Sequence, residues 1–442
     1  MKTAERERIA QGFKEKMDYD QILNCMRCGF CLPSCPTYIE SGMDESQSPR
    51  GRIAMMKAVV DGEMEPDEDV KRSLDLCLGC RACEPVCPSG VKYGHLLEQA
   101  RDIINQNKKQ SLPEKAVRGI VFNNLFPHQN RMVAATNLLG FYQRSGLQKV
   151  ARKSGIMNFF PESLSTMEKV LPSVPTKKEL KNRPNHLPAL KRQKKKVAFF
   201  SGCLMDTMFM KTNDATMKLL QYAGCEIVIP DTQNCCGALH GHSGEREKSK
   251  EMAKRNIQAF EDVGADYIIT NAGGCGAFLV DYDYLLKDDI NWSERAKEFS
   301  AKIKDITSIL VELDFANENL TLDEQIVTYQ DSCHLKNGQK TFMEPRKLLQ
   351  SINGVTYVEM KDASRCCGSA GIYNIVESEM SMEILDYKMD QAKKTRAKTI
   401  VTANPGCLLQ MKLGIEREGL SGTMRAVHIV DFLLEAYEKD HR

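Results

Sequence analysis

Residues 25–36 read CMRCGFCLPSCP and residues 77–88 read CLGCRACEPVCP, the same CxxCxxCxxxCP run written twice. Three thiolates at intervals of three residues can wrap three corners of an iron–sulfur cubane. The fourth, carried away by the longer gap and the proline, ligates the neighbouring cluster. The spacing predicts that Cys25, Cys28 and Cys31 share one 4Fe-4S cluster with Cys87, and that Cys77, Cys80 and Cys83 share a second with Cys35. A pair of zinc sites is the alternative, but zinc motifs usually present two cysteine pairs across a wide gap rather than a compact set of four before a proline. Two cubanes held by crossed ligands must be near neighbours, and such a pair is an electron wire. The insert between the runs reads as helices around Pro49-Arg50-Gly51-Arg52, where Arg50 and Arg52 either offset cluster charge or lie solvated beside a turn.

Around these runs lies a chain of 442 residues with 42% hydrophobic and 27% charged residues, enough for about three packed domains and too much for wholesale disorder. Its 17 cysteines are an odd count. No apolar run approaches the length of a membrane span and the start lacks a signal-peptide core, so the expected location is cytoplasmic. In a reducing compartment such cysteines read as metal ligands rather than a disulfide framework. The net charge of +2 conceals a sharp division. Residues 1–100 carry 13 basic and 17 acidic side chains, residues 101–196 carry 20 and 5, and residues 197–442 carry 28 and 37. The basic middle has no cysteine; it begins with helical pattern at Val117, Ile120, Val121 and Leu125, then passes through Pro172, Pro175, Pro184 and Pro188 to the run Lys191, Arg192, Lys194, Lys195, Lys196. It reads as a basic helical segment and linker, either solvated or docked on something negative, such as a partner subunit or the inner face of the cell membrane. Nucleic acid is not expected, because no aromatic platform or recognised nucleic-acid fold accompanies the lysines.

The C-terminal half repeats itself. KVAFFSGC ends at Cys203, CEIVIP leads to Cys235-Cys236-Gly237 and DYIITNAGGC ends at Cys275; later QIVTYQDSC ends at Cys333, GVTYVEM leads to Cys366-Cys367-Gly368 and KTIVTANPGC ends at Cys407. Near-constant offsets at three landmarks identify a tandem duplication. Short β-branched runs alternate with helical segments 208–222, 245–263 and 377–394, the pattern of a parallel α/β sheet whose sites gather beyond the strands' carboxyl ends. Cys203, Cys235, Cys236 and Cys275, and likewise Cys333, Cys366, Cys367 and Cys407, can therefore converge, as ligands of a further metal or cluster or as buried or redox-active thiols. A vicinal pair needs its glycine, because adjacent side chains on an extended chain point apart. Cys225 has no counterpart and reads as core, and His240, His242 and His334 are hydrogen-bonding residues, ligands or proton carriers. The expected architecture is multidomain α+β. A largely helical two-cluster ferredoxin-like domain (1–105) and the basic segment (106–195) precede two α/β repeats with parallel sheets (196–322 and 323–442).

The segments CGFCLPSCPTY, SPRGRI, CLGCRACEPVCPSGVKYGHLLE, NCCGALHGH, AGGCGAF, CCGSAGIYN and TANPGC together resemble the iron–sulfur subunits of bacterial glycolate oxidases, within the wider group of CCG-domain (cysteine-rich) proteins related to heterodisulfide reductase. The resemblance implies electron transfer from a flavin subunit that oxidises glycolate to glyoxylate, toward a quinone or similar acceptor. A lactate or glycerol-3-phosphate dehydrogenase subunit is the alternative, since the hydroxy acid touches the flavin subunit and not this chain. A heterodisulfide-type thiol–disulfide reductase is a second alternative, but the CxxC that closes the repeats of such reductases is missing here, its partner positions being Phe278 and Gln410. No dinucleotide or P-loop fingerprint is present, so no flavin or nicotinamide site and no residue catalytic toward the hydroxy acid is expected on this chain.

Overall fold

The computed structural model describes residues 1–159 and 162–441. The N-terminal quarter is helical. Helices Thr3–Lys16, Pro49–Asp61, Glu68–Asp75 and Tyr93–Asn107 enclose a core that includes Ile9, Phe13, Met56, Leu74 and Leu96. Local chemistry sets their ends. Ser48 accepts a hydrogen bond from the Gly51 amide ahead of Pro49 at the first turn, Gly62 closes that helix at φ +76°, and Asp67 caps the next through the amides of Asp69 and Val70. The two cysteine runs lie in the irregular chain between these helices.

Two sheets follow. The first comprises β1 (His186–Leu187), β2 (Lys195–Phe199), β3 (Cys225–Val228), β4 (Tyr267–Thr270) and β5 (Ile303–Asp305) in the order β1-β3-β2-β4-β5. The second comprises β6 (Thr321–Gln330), β7 (Asn353–Tyr357), β8 (Thr399–Thr402) and β9 (Arg425–His428) in the order β7-β6-β8-β9. All pairings are parallel except β1 on β3, with Val197 opposite both Ile227 and Tyr267, and Val327 opposite both Tyr357 and Thr399. One core joins the repeats, running from Val197, Phe199 and Leu219 through Ile309 to Val327, Tyr329 and Phe432. The multidomain arrangement of a helical cluster domain and two α/β repeats is thus present. Helices Met210–Tyr222, Arg246–Phe260 and Ser378–Lys394 occupy the segments whose periodicity predicts them. β1, β5 and β9 have no such sequence signal, being two to four residues long and carrying polar residues.

The basic middle is more ordered than its prolines suggest, with helices Leu112–Arg118, Gln129–Arg144, Leu147–Ser154, Glu162–Lys169 and Lys177–Lys181. Its terminal lysine run is tied down. Lys195 and Lys196 open β2, Lys191 pairs with Glu318 at 2.7 Å, and the Lys194 ammonium donates to the Leu313 carbonyl at 3.0 Å.

Candidate functional site

In both N-terminal runs the same two positions adopt the left-handed backbone region: Arg27 (φ +56°) and Gly29 (φ +88°) in the first, Gly79 (φ +63°) and Arg81 (φ +59°) in the second. One glycine and one arginine fill these positions in each run, in opposite order. A repeated backbone conformation that side chains rarely adopt marks a shape imposed by what the thiols must face. Cys25, Cys28, Cys31 and Cys87 line one pocket, closed on its inner side by Cys83, Ile53 and Tyr93. Cys35, Cys77, Cys80 and Cys83 are buried close enough to act on one another electrostatically. The first set is the more open, and Cys28 is exposed.

None of these sets is gathered about a point. Among the described residues no group of three or more His, Cys, Asp or Glu side chains could hold a single metal ion, whereas a four-iron cluster keeps its thiolates apart around a cube. The surroundings also suit anionic ligands. Burial alone would raise the Cys77 thiol, but Arg52, Arg101, the Tyr93 hydroxyl at 3.5 Å and the Gly79 amide at 3.4 Å hold it below its ordinary value. Arg52 is fully buried, donating to the Ser73 carbonyl (2.8 Å), Thr37 Oγ1 (3.1 Å) and Gln47 Oε1 (3.0 Å), and faces both Cys77 and Cys35. Arg50 is different: it lies half-buried, forked onto Glu45, with one bond to the Arg27 carbonyl. The two arginines that sequence leaves equivalent divide between core and rim.

In each repeat three adjacent parallel strands deliver the cysteines to one sheet edge. β2, β3 and β4 lead to Cys203, the Cys235–Cys236 pair and Cys275; β6, β7 and β8 lead to Cys333, the Cys366–Cys367 pair and Cys407. The thiols adjoin in those orders, Cys203 to Cys235 to Cys236 to Cys275 and Cys333 to Cys366 to Cys367 to Cys407; in each set the first three are held above the usual thiol range by the next thiol in line and by burial, while for the second and third the preceding thiol acts the other way. Gly237 (φ +85°) and Gly368 (φ +88°) make the turns that bring each vicinal pair inward, and a Cβ on Gly368 would stand 2.6 Å from the Ser381 carbonyl. Cys225 is buried on β3 in the shared core, apart from its repeat's set.

The second repeat's set touches the cluster domain. Cys80 packs with Cys366 and Cys333, in a small cluster with Leu78 and Tyr373. Backbone carbonyls at the start of the second run accept from this repeat: Leu76, just before it, from the Tyr373 hydroxyl (2.9 Å), Gly79 from His334 Nε2 (3.1 Å) and Cys80 from the Asn337 amide (2.9 Å). The first repeat joins through Arg81, which pairs with Asp281, and through His242, which meets Glu98 at 2.7 Å and stacks on His334 at 5.0 Å. His240 Nε2 donates to the Phe122 carbonyl at 2.7 Å. All three histidines therefore hold positions by hydrogen bonds. Burial, then the neighbouring His242, pushes His334 down to about 3, which keeps its ring neutral. Arg101 and Asn337 belong to no motif and Arg81 fills an unspecified position within one, so only the packed halves reveal their roles.

Three family descriptions match the chain: a 4Fe-4S dicluster domain over residues 21–91, the linker region of a glycolate oxidase iron–sulfur subunit over 113–171, and a cysteine-rich CCG domain over 197–280 and 327–412. The chain is 67% identical over 433 residues, 98% of each protein, to a probable glycolate oxidase iron–sulfur subunit of Bacillus subtilis (strain 168). It is 31% identical over 432 residues, 96% of each, to the glycolate oxidase iron–sulfur subunit of Escherichia coli (strain K12). A lactate utilization protein A of Exiguobacterium sp. is 31% identical over 243 residues, 55% of this chain and 98% of that protein.

Proposed function

This chain belongs to the glycolate oxidase iron–sulfur subunit family, and on that premise we propose that it carries electrons from a flavin-bearing subunit, which oxidises glycolate to glyoxylate, toward a quinone-type acceptor. The observation that carries this reading is the crossed thiol arrangement, in which Cys87 of the second run lines the pocket of the first. Cys25, Cys28, Cys31 and Cys87 would hold one 4Fe-4S cluster, and Cys77, Cys80, Cys83 and Cys35 the other. Such clusters supply one-electron chemistry, which divides the electron pair that alcohol oxidation releases at a flavin. The chain's own groups do the rest. Arg52 and Arg101 place positive charge against thiolates that burial would otherwise disfavour, and both repeats close over the second run to exclude water. Exposed Met26 and Phe30 flank exposed Cys28, which makes this rim the proposed contact for the flavin subunit.

With the flavin subunit present, purified protein should reduce an artificial acceptor at the expense of glycolate, and without it the rate should fall to background. Sustained glycolate oxidation by the single pure chain would overturn this reading. A lactate-oxidising partner is the second reading, favoured by the lactate utilization protein A match, and the substrate profile of the co-purified complex separates the two. Disulfide reduction is less well supported. Phe278 is packed in the core, and Gln410 is buried between Asn374 and Ser381 at 3.1 Å from each, so the positions of a closing cysteine are filled by structural side chains.

The repeats extend the proposal. With Cys80 beside Cys333 and Cys366, a cluster on Cys333, Cys366, Cys367 and Cys407 would be the next station after the second cubane, whereas the Cys203 set lies in the other repeat's core. Iron clearly above about eight per chain is then expected. Replacing Cys366 and Cys367 by serine should remove the excess, and iron content unchanged by that substitution would make the set structural.

A further inference from the structure

From Lys115 to Pro161 the chain has seven lysines and arginines and no aspartate or glutamate. Within that stretch, helix Gln129–Arg144 turns Met132, Thr136 and Gly140 inward. Its opposite face presents Arg131, Ala134, Ala135, Leu138 and Phe141 to solvent, at helical spacing. The next helix, Leu147–Ser154, exposes Leu147 and Val150 beside Lys149 and Lys153, and the turn after it exposes Ile156 and Phe159. These side chains are not marginal cases, since Leu138 is 71% and Phe159 91% exposed. Arg118 and Arg152 are paired with Glu245 and Glu168, but Lys149 and Lys153 stand among the exposed aliphatic and aromatic groups of these packed short helices, a surface that is costly in water and attractive to anions.

We propose that this face docks flat on an anionic lipid surface, with Leu138, Phe141, Val150 and Phe159 entering the headgroup boundary and Lys149 and Lys153 meeting lipid phosphates. A protein partner would be expected to bring acidic side chains and to require acceptors or donors in return, but the face offers mostly apolar groups rimmed by positive charge. No helix among the described residues is long and apolar enough to cross a membrane, so the attachment is peripheral. Lys191 and Lys194 are engaged within the protein and do not supply the charge. The inference goes beyond the electron-transfer reading and is tested without it, because lipid binding requires neither substrate nor acceptor.

The test is co-sedimentation of the full cluster-loaded chain with phosphatidylcholine vesicles, with and without phosphatidylglycerol. Binding is expected only with phosphatidylglycerol and should weaken as salt rises. Lys149→Glu with Lys153→Glu should weaken binding about tenfold or more, as should Leu138→Ser with Phe141→Ser, while visible absorption stays that of the parent. A Phe141→Trp variant should gain fluorescence that brominated lipid quenches. Absent binding, equal binding to neutral vesicles, or variants that bind like the parent would each overturn the proposal. So would substitutions that abolish co-purification of the flavin subunit yet leave vesicle binding intact, since the face would then belong to a protein partner.

Discussion

Cys87→Ala should lower the iron content of anaerobically purified protein by about four atoms per chain. Cys87 is only half-buried, so the loss of its side chain removes a ligand without opening a core cavity. The decisive comparison is with Cys28→Ala. Cys28 and Cys87 lie 59 positions apart in sequence but line one pocket, so they should serve one cluster. Two substitutions that act on a single unit are not additive. The double variant should therefore still retain the second cluster, with about four fewer irons than the parent and not about eight. Loss of both clusters in the double variant, with one lost in each single variant, would show that each run holds its own cluster and that the crossing is wrong.

The second large effect is expected at Arg52. Its Nε and two terminal nitrogens each serve a different acceptor, Ser73, Thr37 and Gln47, and none of its surface reaches solvent. Arg52→Met keeps much of the volume but strands those acceptors and removes the buried cation that faces both Cys77 and Cys35. Stranded buried acceptors cost about 1–3 kcal/mol each before any relaxation, and removing one partner from a buried charged set costs about 3–5 kcal/mol. A destabilisation of about 3–5 kcal/mol in denaturant unfolding is expected. Arg52→Lys should recover little of it, because an ammonium cannot reproduce a planar fork with three directed donors. A change below about 1 kcal/mol in the Met variant would mean that the acceptors find other partners.

Much of this molecule is legible without its structure, for a definite reason. Strands of a parallel sheet favour β-branched runs, most strongly where both faces are buried as in β4 and β8, and six such runs stand before six cysteine landmarks in KVAFF, CEIV, YIIT, IVTYQ, GVTY and TIVT. Because β2, β3 and β4 are neighbours, the convergence of Cys203, Cys235, Cys236 and Cys275 follows from topology alone. What resists reading is contact between segments that share no pattern. Arg52 and Arg50 belong to one short motif, yet a two-residue step along a helix turns one into the core and leaves the other on Glu45. The lysine run 191–196 reads as either a solvated tether or an external docking surface, although Lys191 meets Glu318 more than a hundred positions away within the chain. The approach of Cys80 to Cys366 depends on the docking of whole domains, which composition and period do not encode.

The closure of both repeats over the second run also bears on the protein's biogenesis. Cys77 and Cys80 lie buried beneath Tyr373, His334 and Asn337, while Cys28 stays open to solvent. On the proposed ligand assignment, the first pocket of a finished fold would admit iron and sulfide and the second would not. On the same assignment, the inner cofactor would be inserted while the C-terminal half is still undocked, so a maturation factor would meet a nascent or partly opened chain. An oxidised or stripped inner centre could be rebuilt only by undocking the repeats, whereas the outer one could be repaired in place.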